Sequence, residues 1–194
     1  LRVLNDDRIS PGEGFDMHPH KNMEVVSIPL KGYLKHGDSI ENQSIITPGE
    51  IQVMSTGKGI YHSEYNGSNE KDLELLQIWI IPNKEETEPE YHNYNILPLM
   101  KHNELATFIS PNGNTPAHLL QDAWFSMGTL SANHKVSYHL HKPHTGVYFF
   151  IIEGNVDIAD ENVTRRDGIG IWDTESIIIK TNEESQVLAI EVAL

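Results

Sequence analysis

The sequence predicts an all-β protein that consists of two barrels built on the same plan, with little helix. Most of the chain is made of short apolar runs separated by turn-forming steps such as Pro-Gly, Asp-Gly and Asn-Gly. Helical periodicity is weak throughout. The two halves of the chain also carry the same parts in the same order, which indicates an internal duplication.

Seven apolar runs are the clearest predicted strands, because each is short and bounded by turn residues. They occupy residues 25–30, 51–54, 73–81, 147–152, 169–172, 177–179 and 187–192. One or two helical turns are predicted over 116–121, where Pro116 stands near the start of an Ala-His-Leu-Leu run.

In each half of the chain, a histidine pair is followed by the same parts in the same order. His18-Pro19-His20 precedes an apolar run, a glycine turn at Gly32 and a polar hairpin; His139-Leu140-His141 precedes the same parts with a turn at Gly154. We therefore predict an N-terminal barrel over 1–98 and a C-terminal barrel over 116–194. Residues 99–115 are predicted to be a linker, because the stretch 95–115 is rich in Pro, Asn and Gly and has no clean period.

Composition excludes several classes of function. The formal net charge of −14 disfavours direct nucleic-acid binding, which needs clustered Lys and Arg. The absence of cysteine excludes disulfides and thiolate metal sites. No apolar run approaches the ~18 residues that span a bilayer, so we expect a cytoplasmic protein without a membrane partner. The chain starts at Leu1 in a strand-like run, and we expect further residues upstream.

Two short motifs predict a metal site. His18 and His20 are two residues apart, as are His62 and Glu64. On a strand, residues at this spacing point to the same face. Two adjacent strands would then supply three imidazoles and one carboxylate, a donor set that suits several divalent transition metals.

These motifs lie in a sequence that resembles the double-barrel cupins. The residues that match the first cupin motif are Gly12, His18, His20, Glu24 and Gly32, and those that match the second are Gly49, Gly57, His62 and Asn66. Ser55 departs from the second motif, where proline is common. More narrowly, the runs GFDMHPH, GKGIYHSEYN and LQIWI resemble the pirin family, in particular bacterial members with quercetin 2,3-dioxygenase activity.

The resemblance implies a bicupin fold of two double-stranded β-helices, or jelly-roll barrels. It implies that His18, His20, His62 and Glu64 bind one divalent metal per chain. Fe(II) is the first candidate, and Ni, Cu, Co, Mn and Zn are the alternatives. Glu24 is expected to orient the histidines or to stabilise the barrel.

The resemblance also implies an activity. The expected reaction is the ring opening of a flavonol such as quercetin with O2 and release of CO, with Glu64 as the base for the 3-hydroxyl group. The alternative is a non-enzymatic, redox-sensing metal protein that regulates a protein partner, and the charge favours a basic one. A dioxygenase for another substrate is a third hypothesis.

The second barrel is not expected to bind a metal in the same way. His139 and His141 repeat the histidine pair and His144 is close by, but Thr181 stands where the counterpart of His62 is expected. We predict a barrel that contributes packing, with a surface metal site at these three histidines as the alternative.

Overall fold

The structure is a computed structural model that describes residues 1–194. The chain folds as two compact units. The first comprises Leu1–Leu97 with Leu119–Gln121, and the second comprises Pro98–His118 with Asp122–Leu194. All-β architecture is confirmed, since every element but one is a strand.

The first unit contains nine strands in two antiparallel sheets. Their bounds are β1 Val3–Ile9, β2 Gly14–His20, β3 Glu24–Lys31, β4 Leu34–Asp38, β5 Gln43–Ile46, β6 Glu50–Ser55, β7 Ile60–Asn66, β8 Leu73–Ile80 and β9 Glu90–Asn95. One sheet has the order β1-β8-β3-β6-β9 and the other has the order β2-β7-β4-β5.

The second unit repeats this plan. Its strands are β10 Ala106–Ile109, β11 Ala123–Leu130, β12 Lys135–His139, β13 Thr145–Glu153, β14 Asn155–Ile158, β15 Glu161–Thr164, β16 Gly168–Ile171, β17 Ser176–Thr181 and β18 Ser185–Ala193. The sheet orders are β10-β11-β18-β13-β16 and β12-β17-β14-β15. The order β1-β8-β3-β6 of the first unit corresponds to β11-β18-β13-β16 of the second, and β2-β7-β4-β5 corresponds to β12-β17-β14-β15. This correspondence confirms the predicted duplication.

Burial follows the pleat of the strands. Along β7, residues 60, 62, 64 and 66 are buried, and the residues between them are half-buried or exposed. Strand β3 is buried over residues 24–29. The buried face of β7 thus carries two polar side chains, His62 and Glu64. Burial of polar side chains costs free energy, so the packing of an apolar core does not explain them.

Two parts of the predicted organisation differ from the structure. The predicted linker over 99–115 contains β10, which pairs with β11 and buries Phe108 and Ile109. The predicted helix over 116–121 is absent, and the one helical element is a 3-10 helix at Leu97–Leu99. No helix has the length and apolar character needed to cross a membrane.

The physical reason is that the backbone of 116–121 is already engaged. Ala117 bridges Ile109 in the second unit. In the first unit, Leu120 N donates to Glu24 Oε2 at 3.1 Å, and Leu120 O accepts from Asn83 N at 2.6 Å. Residues 119–121 therefore belong to the first unit, although the sequence places them in the C-terminal barrel.

Candidate metal centre

Three predicted ligands lie on the paired strands β2 and β7. His18 and His20 share one face of β2, and the antiparallel register places His62 directly opposite His18. Side chains of directly opposed residues are close enough to interact. Pro19 is tolerated between the histidines because β2 is an edge strand of its sheet.

The three imidazole rings form a compact triad. The ring centroids of His18 and His62 are 4.4 Å apart, and each is 4.9 Å from the centroid of His20. One ring nitrogen from each residue lies within 4.8 Å of the other two. His62 is buried, whereas His18 and His20 are half-buried.

Two of the three imidazoles, those of His20 and His62, are neutral at pH 7 and short of hydrogen-bond partners. Burial, with a smaller contribution from His18, lowers the pKa of His20 to about 4 and the pKa of His62 to about 3. His20 Nε2 and both ring nitrogens of His62 are buried without a hydrogen-bond partner. Buried polar atoms normally have partners, so His20 Nε2 and one ring nitrogen of His62 fit a metal ion that completes the site.

The carboxylate of Glu64 is buried beside His62 and is held by three donors. Ser27 Oγ and Gln52 Nε2 donate to Oε1 at 3.1 and 2.9 Å, and Gln77 Nε2 donates to Oε2. A carboxylate accepts about four hydrogen bonds, so one lone pair of Oε2 is left for a ligand or a proton. Burial raises the pKa of Glu64, and the bonds from Gln52 and Ser27 oppose that rise.

Glu64 does not join the three histidines in one group. Its ligand atom lies within 4.8 Å of ligand atoms of His62 and His36, while the other group contains only His18, His20 and His62. The structure thus shows two donor triads that share His62. His36 was not among the residues predicted from the sequence.

His36 lies on β4, directly opposite Glu64 of β7. Its Nε2 is 3.0 Å from Asp38 Oδ2, and both side chains are fully buried. Its ring stacks on Tyr91 with a centroid distance of 4.2 Å. The His-x-Asp spacing on a strand was the signal in the sequence that could have identified the pair.

Glu24 and Asn66, which match the cupin motifs, make contacts that stabilise the unit. Glu24 is buried and accepts hydrogen bonds from Ser55 Oγ at 2.8 Å and from Leu120 N. Asn66 Nδ2 donates to the backbone oxygens of Ile9 and Lys71. Neither residue belongs to either donor triad.

The second unit contains no group of three metal-binding side chains. His141 Nδ1 is 2.7 Å from the buried carboxylate of Glu191, and its ring stacks on Trp124. The residue opposite His139 is Ser176, so the predicted counterpart at Thr181 was wrong. Ser176, like Thr181, has a hydroxyl group where an imidazole would be needed. His139, His141 and His144 do not form a ligand set.

Comparison with known proteins agrees with this arrangement. Residues 1–80 match the family model described as Pirin, and residues 107–192 match the model described as Quercetinase C-terminal cupin domain. The chain is 35% identical over 192 residues to a quercetin 2,3-dioxygenase of Escherichia coli strain K12, covering 99% of this chain and 82% of that protein.

Two further relatives extend the match over the whole chain. A pirin-like protein of Caulobacter vibrioides is 32% identical over 198 residues, covering 100% of this chain and 83% of that protein. The crystal structure of the bacterial pirin YhhW from Escherichia coli in complex with nickel(II) has a TM-score of 0.92 and 34% identity, covering 100% of this chain and 82% of that one. With two barrels of the same order and a histidine centre in the first, the chain belongs to the pirin family of bicupins.

Proposed function

We propose that this chain is a metal-dependent dioxygenase that opens the ring of a flavonol such as quercetin with O2 and releases CO. The observation that carries the proposal is the triad of His18, His20 and His62, which lies near the buried carboxylate of Glu64. His20 Nε2 and both ring nitrogens of His62 are buried and have no hydrogen-bond partner. A relative that is 35% identical is a quercetin 2,3-dioxygenase, which supports the choice of substrate.

The proposed ligands are His18, His20, His62 and Glu64, and together they would hold one divalent metal per chain. Three imidazoles and one carboxylate without sulfur suit Fe, Ni, Cu, Co, Mn and Zn. We take Fe(II) as the first candidate and Ni(II) as the second, since YhhW is known in complex with nickel(II). The ion supplies a Lewis acid for the flavonol oxygen and redox chemistry with O2.

Glu64 is the proposed base for the 3-hydroxyl group of the substrate. Its Oε2 retains one acceptor position after the bond from Gln77, and this position would hold either the metal or the proton from the substrate, so Glu64 would leave the metal as it takes up the proton. Because burial raises the pKa of Glu64, the carboxylate holds a proton more readily than an exposed one does. Ser27 and Gln52 fix the carboxylate through Oε1 during this transfer.

The proposed reaction needs no further reductant. Both atoms of O2 enter the depside product, two carbon–carbon bonds of the central ring break, and the carbon between them leaves as CO. The chain therefore has to bind the flavonol next to its metal and to limit the access of water, which the buried inner face of β7 supports.

The test begins with protein loaded anaerobically with Fe(II) or Ni(II) to one metal per chain. Loss of quercetin absorbance in air and release of CO are then followed for the wild type, for Glu64→Gln and for Glu90→Gln, which changes an exposed carboxylate. We expect turnover in the wild type and in Glu90→Gln, and its loss in Glu64→Gln.

Two results would contradict the proposal. Full turnover by metal-loaded Glu64→Gln would remove Glu64 from the chemistry. A fully loaded wild type that releases no CO would overturn the flavonol dioxygenase and would favour a metal-dependent regulator that acts through a protein partner.

A further inference from the structure

His36 is a histidine of the buried pocket that the proposed ligand set does not use. It lies on β4, which is hydrogen-bonded to β7, and the register places it opposite Glu64. Its side chain has no solvent exposure, although an imidazole is costly to bury without partners for both nitrogens.

The hydrogen bonds of Asp38 define which nitrogen of His36 carries the hydrogen. Asp38 accepts from Ile40 N and Asn42 N at Oδ1, and from Asn42 Nδ2 at Oδ2, each at 3.0 Å. A carboxyl group that accepts from three donors acts as a carboxylate, so His36 donates to it through Nε2–H. In the neutral ring, Nδ1 then carries the lone pair.

Nδ1 of His36 is buried and has no hydrogen-bond partner. A histidine that donates one ring N–H to a carboxylate and presents its other nitrogen unpaired has the usual arrangement of a metal ligand. One ligand atom each of His36, His62 and Glu64 lies within 4.8 Å of the other two.

We propose that His36, His62 and Glu64 form a second position for a divalent transition metal, next to the position formed by His18, His20 and His62. Two imidazoles and one carboxylate are the donor set of many non-haem Fe(II) oxygenases. The two positions share His62 and also Glu64, which is a proposed ligand of the first position, so a single ion occupies one or the other. This proposal rests on the proposed function in one respect, namely that the chain binds a metal ion at this group of side chains.

The decisive variant removes the first position and leaves the second. In His18→Ala/His20→Ala, the first position keeps only His62 and Glu64 of its four proposed ligands, whereas the second triad is intact. Binding of Co(II) is followed by visible absorption and by metal content after dialysis, and circular dichroism of the metal-free protein verifies the fold. We expect the double variant to bind one Co(II) per chain.

A third substitution then tests His36 itself. His36→Phe removes the donor and keeps a ring against Tyr91; His92→Phe is the matched control, because exposed His92 makes a ring contact with Tyr94 in the same unit. In the double-variant background, we expect His36→Phe to weaken Co(II) binding at least about tenfold and His92→Phe to leave it unchanged.

A crystal structure of the double variant soaked with Co(II) gives a readout that does not depend on the folding of His36→Phe. We expect an anomalous peak about 2.0–2.1 Å from a His36 nitrogen, the length of zinc–histidine bonds. A double variant that binds no Co(II), or binding that is unaffected by His36→Phe, would overturn the second position. Neither result depends on whether the wild type degrades quercetin.

Discussion

His18 and His62 face each other across β2 and β7 with ring centroids 4.4 Å apart, the shortest separation in the triad. His62 also belongs to the group with His36 and Glu64. It is thus the one histidine on which both donor triads depend.

We expect His62→Phe to weaken metal binding more than His18→Phe does. Removal of His62 affects both triads, whereas removal of His18 affects one. The loss should be at least about 100-fold, since even the loss of a group that only orients a ligand costs 10–100-fold. Competition with a chelator measures the affinity, and equal losses for the two variants would contradict the shared role.

The metal-free protein should lose stability as the pH falls below 6.5. Unfolded His20 and His62 take up protons near 6.5, but burial lowers their pKa in the folded state to about 4 and about 3. The unfolded state therefore binds more protons in this window, and the free energy of unfolding falls from pH 6.5 towards pH 4.

Urea unfolding across this range measures the effect. Carboxylates titrate there as well, so the comparison is made with His20→Gln, which should show a shallower fall. An identical pH dependence in the two proteins would contradict a contribution from His20.

Glu191→Ala should destabilise the second unit by about 3 kcal/mol. The buried carboxylate accepts hydrogen bonds from Tyr138 Oη and from the backbone N and Nδ1 of His141, so its removal deprives these three donors of their acceptor. Thr145 Oγ1 also contacts the carboxylate but has Lys142 O as a second acceptor. Glu153→Ala, which removes an exposed ion pair with Arg165, is the control and should cost less than about 1 kcal/mol. Chemical denaturation measures both, and similar costs would contradict the assignment.

Gly57→Ala should destabilise the turn before β7 more than Gly12→Ala destabilises its own turn. Both glycines have positive φ, at 42° and 73°, which costs an alanine about 1–2 kcal/mol. A Cβ at Gly57 would also lie 2.1 Å from Thr87 O, whereas one at Gly12 meets Asn69 Oδ1 at 3.7 Å. Thermal melting of the two variants isolates the steric part, and equal shifts would contradict it.

Much of the fold could be predicted because the duplication and the turn residues are local signals. The part that could not be predicted depends on tertiary pairing. Strand β10 has only four residues, and its pairing with β11 is what distinguishes it from a linker. Likewise, Thr181 was predicted as the counterpart of His62, but β16 has four residues where β6 has six, and the register selects Ser176.

In the candidate site, too, local spacing predicted one part and tertiary pairing determined the rest. The spacing in the histidine motifs predicted that His18, His20 and His62 meet on neighbouring strands, and the structure places them together. Their role as ligands, with Glu64, stays a prediction. The spacing of His36 and Asp38 was visible in the sequence, but the place of His36 in the site depends on β4 lying beside β7, which only the structure shows.

The hydrogen bond between Leu120 N and Glu24 Oε2 matters for expressing the first unit on its own. A fragment that encodes only residues 1–97 would lack Leu119–Gln121, which belong to the first unit. Glu24 would lose the amide of Leu120, and Ile81 O would lose the side-chain amide of Gln121. Although the two halves share one plan, a first half that ends at residue 97 thus lacks three residues of its own unit, whereas one that extends through residue 121 also carries β10 without its partner β11.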